Sequence, residues 1–463
     1  MGVCPSSHSQ RYCGLTRRNK CAMKEDLNLH SALKTSCTVL FCAIANSALA
    51  DPLDSSSFIN APPDSFWTQK YMFGDWGGER TRLEQMGITF YGEYRDDFQG
   101  NVTGTDKNGN ERDHSVNFGI FYLNLDVDLM KLADIAGEFF FGAVWQYGGN
   151  LSDRYLNVHT STSSIAGTNS ERIDQLWYQQ GFFDSRLKIK IGQVCAVDEF
   201  GATDFFDILV NDELGYSPNT NFVTHQPFSP ASKPGVITTL DLRDITPGLY
   251  IKGGAFTAIR DPYHPDWYGV DYASDFDQGA AFAGEVGYKE QNTRYDGVYK
   301  LGFNYTNQSG FTQDRTGQRL TGNYNGYMTI EKTVFHPQDR NDKLDTSRGL
   351  DLLFQVFGEP DDRNPVDFEV TFGGRYTGLI PGRDKDKVGF GFIYSHTSDQ
   401  QSLANQHRGG PSLGGEETVE VDYQAQITPW LAIQPDIQAI FNPNGDASRN
   451  TILVLGIRSI IVF

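Results

Sequence analysis

The chain has 463 residues, including 48 Gly, 32 Phe and 22 Tyr, enough for one large β-rich body or two ordinary domains. Its 39 basic groups stand against 58 acidic ones, a formal net charge of -19 with no concentrated basic patch, which excludes DNA and RNA as partners. No run of 18 apolar residues occurs, so a membrane-spanning helix is excluded while a membrane-spanning barrel is not.

Five of the six cysteines, Cys4, Cys13, Cys21, Cys37 and Cys42, lie near the start, and only Cys195 follows, so no disulfide framework can form beyond them. Residues 35–50 read TSCTVLFCAIANSALA, preceded by Lys34 and closed by Ala48-Leu49-Ala50. A charge-free run with a small-residue end predicts a secretory signal, cleaved before Asp51 and too short to anchor the chain. Met23 and Lys24 offer a more ordinary start, so residues 1–22 read as an extension upstream of it; the competing reading of this region is a buried N-terminal helix. Without residues 1–50 the chain keeps 33 basic and 56 acidic groups. Neither a Walker loop nor a dinucleotide-binding glycine motif is present.

Residues 51–87 hold Pro52, Pro62, Pro63 and the turn-like Gly74-Asp75-Trp76-Gly77-Gly78, and predict a periplasmic lead-in with one short helix at Glu79 to Met86. At Ile88 the period becomes two: Ile88, Phe90, Gly92 and Tyr94 alternate with Thr89, Tyr91, Glu93, Arg95 and Asp97. Leu123, Leu125, Val127 and Leu129 alternate with Tyr122, Asn124, Asp126 and Asp128; Leu187, Ile189 and Ile191 alternate with Arg186, Lys188 and Lys190. Twelve further segments, from Gly137 to Tyr147 through to Thr451 to Phe463, bring the visible strands to fifteen, separated by Gly, Asn, Asp and Pro turns.

Many antiparallel strands without helices either stack as sandwiches or close on themselves, and closure removes edges. Aromatic residues near strand ends, such as Phe140, Phe141, Trp145, Tyr147, Tyr423 and Trp430, suit interfacial girdles. The last strand puts Leu453, Leu455, Ile457, Ile461 and Phe463 on one face and Arg458 on the other, with no polar tail. A barrel pairs such a strand with the first to complete its hydrogen bonds; a buried final strand of a soluble domain is the alternative. The fold class expected is therefore all-β, a transmembrane antiparallel β-barrel over residues 88–463.

The segments GDWGGERTRLEQMGITFYGEYRDDFQGNVTG (Gly74 to Gly104), LWYQQGFFDSRLKIKIGQ (Leu176 to Gln193), GRYTGLIPGRDKDKVGFGFIYS (Gly374 to Ser395) and ITPWLAIQPDIQAIFNPNGDASRNTILVLGIRSIIVF (Ile427 to Phe463) resemble the carbohydrate-selective porin family of Gram-negative outer membranes. The resemblance extends over residues 70–463, and its final segment is its most specific. It implies a sixteen-stranded barrel, with one outer loop folded into the lumen as a constriction, and passive diffusion of glucose and other small sugars into the periplasm. An even strand number places the missing strand at Ile173 to Tyr178, where polarity hides the period. The Ser- and Thr-rich stretch between Asn150 and Thr168 is expected to be a surface or inward-folded loop. Cys195 stands where the family commonly has a hydrophobic or small residue, and reads as a packing thiol. The partners implied are small neutral sugars, outer-membrane lipid and lipopolysaccharide, and barrel-assembly machinery during insertion, with the chain a homotrimer or a monomer. Neither a cofactor nor a metal is implied.

A neutral sugar needs exchangeable hydrogen bonds and an aromatic platform in a channel that does not trap it. By strand parity the lumen candidates are Glu93, Arg95, Asp97, Asp126, Asp128, Arg186, Lys188 and Lys190, whose bland reading is a solvated charge near the rim. Trp177, flanked by Glu171, Arg172 and Tyr178, is the preferred platform; Trp145 competes with it, and either indole suits an interfacial girdle. Arg375, Arg383 and Lys385 around Gly378-Leu379-Ile380-Pro381-Gly382 read as a solvated turn or an entrance cluster, and Asp384 with Asp386 does not make a calcium site by itself. The alternatives are an exported β-rich glycoside hydrolase, which needs two carboxyls set across a scissile bond, and a soluble sugar-binding or adhesive β-sandwich. No HxxxH or HExxH arrangement supports a zinc enzyme.

Overall fold

The computed structural model describes residues 65–463 except 111–112, 168, 215–222, 260–266, 271, 273–278, 291–294, 314 and 339–342; the expected signal segment, residues 1–50, and residues 51–64 lie outside the described residues. Among the described residues there are sixteen strands, beginning with β1 Ile88–Asn101, β2 His114–Asp128, β3 Gly137–Tyr147, β4 Ser170–Phe182, β5 Leu187–Val194, β6 Lys233–Asp241, β7 Leu249–Thr257 and β8 Ala280–Lys289. The second half comprises β9 Gly297–Thr312, β10 Arg319–Phe335, β11 Gly349–Gly358, β12 Val366–Thr377, β13 Lys387–Thr397, β14 Gly415–Thr428, β15 Leu431–Phe441 and β16 Ile452–Val462. Each pairs with its neighbours in sequence, and β1 pairs with β16, closing the barrel. The strand hidden from the two-residue period is β4. Opposite it the register slips between Gly142 and Ala143, which face Gln175 and Ile173, so Asp174 is an extra residue and the alternation changes phase inside the strand.

The two faces of the wall are inverted relative to a soluble protein. Leu301 is 65% exposed and Phe98 52% exposed, while Gln99, Asn325, Gln355, Glu420 and Gln438, on the other face, are buried. Apolar side chains outside and polar ones inside suit lipid around a wet lumen, and the sandwich reading, which requires the reverse, is overturned by this closure and parity. Carboxylates on the outer face are exceptions to this rule. Asp96 has outward parity, and it accepts hydrogen bonds from the Tyr147 hydroxyl, from Tyr94 Oη (3.2 Å) and from Asn117 Nδ2 (3.1 Å), which satisfy it without water.

Both ends of the barrel lie at one rim, the periplasmic one, where connections such as 183–186 and 429–430 are short; connections at the other rim, such as 148–169 and 398–414, are longer. The lead-in fastens the seam. Helix α1, Glu79–Gln85, has its first turn satisfied by Asp75, whose Oδ1 accepts from Thr81 N at 2.8 Å and Thr81 Oγ1 at 2.9 Å. It ends at Gly87, whose φ of +90° and whose closeness to the Asp128 carbonyl leave no room for a side chain. From α1, Arg80 Nη2 donates to the carbonyls of Phe90 (2.7 Å) and Phe463 (2.8 Å), one on each side of the β1–β16 junction. Met72 N adds a bond to the Val462 carbonyl at 2.8 Å.

Candidate channel and its constriction

Two segments leave the outer rim and fold against the inner wall, where one had been expected. In the first, residues 195–214, backbone amides need acceptors away from bulk water, and wall glutamates supply them. Glu285 accepts from Gly201 N (3.0 Å); Glu331 accepts from Asp204 N (2.6 Å), Phe205 N (2.9 Å) and Phe206 N (3.0 Å); Glu420 accepts from Val210 N (2.6 Å) and Asn211 N (3.1 Å). Phe206, Ile208, Leu209 and Leu214 pack against Leu353 and Ile393. The inward glycines of β13 make room for them: a Cβ at Gly389 would lie 3.0 Å from Ile208 and Leu209.

The second segment, 148–169, is the Ser- and Thr-rich stretch. It places Leu151, Leu156 and Ile165 in an apolar cluster with Phe118, Ile120, Val144, Ile440 and Val454. Its polar edge meets the wall through Glu416, which accepts from His159 N (2.9 Å) and Thr160 N (3.2 Å), and through Gln438 Nε2 to the Thr162 carbonyl (2.8 Å). The two segments also bond each other, Ser164 N to Val210 O at 2.8 Å and Asp212 N to Ser161 O at 3.0 Å. Cys195, at the root of the first, is buried, and burial pushes its thiol pKa up.

Below these segments, on the periplasmic side, lies a cavity of about 440 Å³ lined by Glu93, Arg95, Asp207, Lys387, Gln424, Gln426, Gln434 and Arg458 among others. Its charges come in contacting pairs. Arg95 Nε donates to Glu93, which also accepts from the Tyr91 hydroxyl; Lys387 Nζ lies 2.9 Å from Asp207 Oδ1; Arg458 holds Asp97 with two bonds of 2.8 Å. Paired ions and amides offer donors and acceptors in every direction without a large net field.

The sequence-nominated residues divide accordingly. Glu93 and Arg95 reach the cavity, and Asp126, Arg172, Lys188 and Lys190 have inward parity. Asp97 also points inward, but it is buried and committed to Arg458 and to Ser163 Oγ (2.6 Å). Asp128 is not a lumen acid: it caps helix α2, Leu129–Ala133, accepting from Met130 N (3.0 Å) and Lys131 N (3.3 Å), because a helix start needs an acceptor there. Arg186 sits in the periplasmic turn before β5 and pairs with Asp244 of the next turn. Glu171 stands opposite Trp145 on the outer face, because the extra residue Asp174 reverses the parity beyond it. Trp177 points inward, yet neither ring face is open: Phe140 stacks on one side at 5.1 Å between centroids, and Lys190 Nζ lies 3.7 Å from the ring centre. It is a wall residue rather than a platform. Trp145 is an outer-face residue beside Phe121.

Arg375 and Arg383, one cluster in sequence, are separated in space: Arg375 pairs with Asp351 (2.6 Å) and Asp207 inside, while Arg383 pairs with Asp386 (2.7 Å) at the periplasmic turn. Sequence reasoning missed the wall acids Glu285, Glu331, Glu416 and Glu420 and the loop acids Glu199, Asp204 and Asp207. The signal available was the run DEFGATDFFD, acidic and aromatic with no strand period, facing β12–β13 strands with Gly373, Gly389 and Gly391 at inward positions.

Comparison with known proteins agrees with this architecture. The family model described as "Carbohydrate-selective porin, OprB family" matches residues 112–463. Porin B of Pseudomonas aeruginosa is 26% identical over 434 residues, covering 85% of this chain and 91% of the relative. The putative porin QuiX of Acinetobacter baylyi is 23% identical over 413 residues, covering 82% and 91%. The high-pH structure of Pseudomonas putida OprB shares the fold with a TM-score of 0.77 at 24% identity, covering 86% of this chain and 100% of that one.

Proposed function

Given that the chain belongs to the OprB family of carbohydrate-selective porins, outer-membrane barrels for passive carbohydrate diffusion, we propose that it passes glucose and other small neutral sugars in preference to charged solutes of similar size. The observation that carries this reading is the cavity of about 440 Å³ whose charged groups are held in opposite-sign pairs among glutamine amides. A site of that volume falls in the roughly 300–1,000 Å³ range of small-molecule sites, and a neutral polyol exchanges its hydration for such groups without the pull of an unpaired ion. Glu93 and Arg95 are the residues we assign to sugar contact; Asp126, Arg172, Lys188 and Lys190 line the wall by parity and shape the approach. One chain closes a whole barrel by itself, so conduction is assigned to the monomer, whether or not copies associate as homotrimers. Insertion is assigned to the barrel-assembly machinery.

Swelling of lipid vesicles containing the purified protein tests the reading, with glucose, maltose, sucrose, arginine and succinate at equal osmolarity. Neutral sugars, glucose foremost, are expected to enter faster than arginine or succinate. Equal or faster entrance of the charged solutes would remove the preference for neutral sugars.

A further inference from the structure

The inward segment 195–214 crosses the lumen wall from β5 to β14, and three of its acids each bridge two cations on different strands. Glu199 lies 2.6 Å from Lys190 on β5 and 2.8 Å from Lys252 on β7. Asp204 pairs with Lys289 on β8 and Lys300 on β9. Asp207 pairs with Arg375 on β12 and lies 2.9 Å from Lys387 on β13. All six cations belong to inward positions of the wall. Lys190, Lys252, Lys289 and Lys300 thus cluster on β5 to β9, where they outnumber the inward Glu285, and a wall of that kind without the segment's acids would concentrate anions in the lumen.

We propose that this segment is a charge-cancelling belt: Glu199, Asp204 and Asp207 determine that the channel accepts uncharged solutes by neutralising wall cations that would otherwise make it an anion channel. The belt deepens the sugar-channel reading and rests on it. Three features support the assignment. The acids are spaced along one segment so that each meets a different pair of strands, while the glutamates Glu285, Glu331 and Glu420 hold its backbone amides and Lys252, Lys300 and Arg375 also donate to the carbonyls of Glu199, Ala202 and Phe205. Exposure also differs along the belt: the Lys289 side chain is 49% exposed and that of Asp207 62%, so these positions meet the permeating solution. Finally, the acids remain charged. Burial opposes ionisation of Glu199, but the ammonium groups of Lys252 and Lys190 outweigh it and hold its carboxyl down at about 2; Asp204 and Asp207 are likewise held below the usual range against burial, by Lys300 with Lys289 and by Lys387 with Arg375.

The experiment is the reversal potential of the full-length protein in planar bilayers under a KCl gradient, for the wild type, for D204N/D207N, and for D204N/D207N/K289M/K387M, each shown to be folded by heat-dependent gel mobility. Each removed acid is expected to raise the chloride-to-potassium permeability ratio about threefold, the effect of a unit charge some 5 Å from the path in screened water. Removing Lys289 and Lys387 as well is expected to return the ratio toward wild type. An unaltered ratio in D204N/D207N overturns the belt. So does a raised ratio that the lysine substitutions leave in place, since that outcome means the segment has moved rather than lost charge. Glucose swelling of the wild type is measured alongside: a wild type without sugar preference whose ratio still shifts refutes the transport reading and leaves the belt, whereas a glucose-preferring wild type with an unshifted variant refutes the belt alone.

Discussion

Replacing Arg458 by Met isolates the energetics of the seam. Asp97 and Arg458 are direct partners across the β1–β16 junction, joined by two bonds of 2.8 Å, with side chains 1% and 4% exposed. Opposite charges about 4 Å apart attract by about 4 kcal/mol at an effective dielectric constant of ~20, while desolvating each ion costs several kcal/mol. The intact pair is therefore close to balanced. The broken pair is not: in R458M the Asp97 carboxylate keeps only the Ser163 hydroxyl, at 2.6 Å, and the expected loss is about 3–5 kcal/mol. D97L/R458M, which removes both charges, is expected to lie within about 1 kcal/mol of wild type by the same reasoning. Reversible urea unfolding of the barrel in lipid vesicles, followed by tryptophan fluorescence, measures all the terms of this cycle. The argument is refuted if R458M is as stable as wild type, or if the double variant loses as much as the sum of the two single ones.

Three other outcomes follow from the same geometry. In E331Q a neutral amide replaces the carboxylate that accepts from Asp204, Phe205 and Phe206 amides; loss of charged hydrogen bonds worth about 1.5–3 kcal/mol each is expected to speed amide exchange at these residues and to admit trisaccharides in vesicle swelling. L301K, on the lipid face at the fifth residue of β9, is expected to destabilise the barrel by about 2–4 kcal/mol, read in the same unfolding assay, and a loss below about 0.5 kcal/mol contradicts the outward assignment. Burial pushes the His159 imidazole down to about 4, below its unfolded value of ~6.5. A depressed histidine contributes stability that is complete above the unfolded pKa and is lost as pH falls toward the folded one. The attachment of segment 148–169 should accordingly weaken between about pH 6.5 and 4, by at most about 1.4 kcal/mol per pH unit. Amide exchange at Thr160 checks this across the window, and H159Q should flatten the response.

Much of the architecture is local information. The two-residue alternation of Ile88 to Asp97 and Leu453 to Phe463 already separates a lipid face from a lumen face, and the apolar last strand already demands a partner, which proved to be β1. Where the alternation fails, at Asp174, a single extra residue conceals β4 and misplaces Glu171, although Arg172 on the same stretch turns inward. Parity also assigns Glu93 and Arg95 to the lumen without any knowledge of their neighbours.

What parity cannot report is which inward group is already engaged. Trp177 reads as an open platform until Phe140 and Lys190 are seen to cover its faces, and Asp97 reads as a channel acid until Arg458 arrives from the far end of the chain. The loop acids are the same case: Glu199 meets Lys252, and Asp207 meets Lys387, only after the connection has folded back through the barrel. Side-chain alternation is set by the geometry of one strand and so is written along the sequence. Charge pairing and constriction depend on groups brought together by closure, and their free energies exist only once sixteen strands have met and water has left the space between wall and loop.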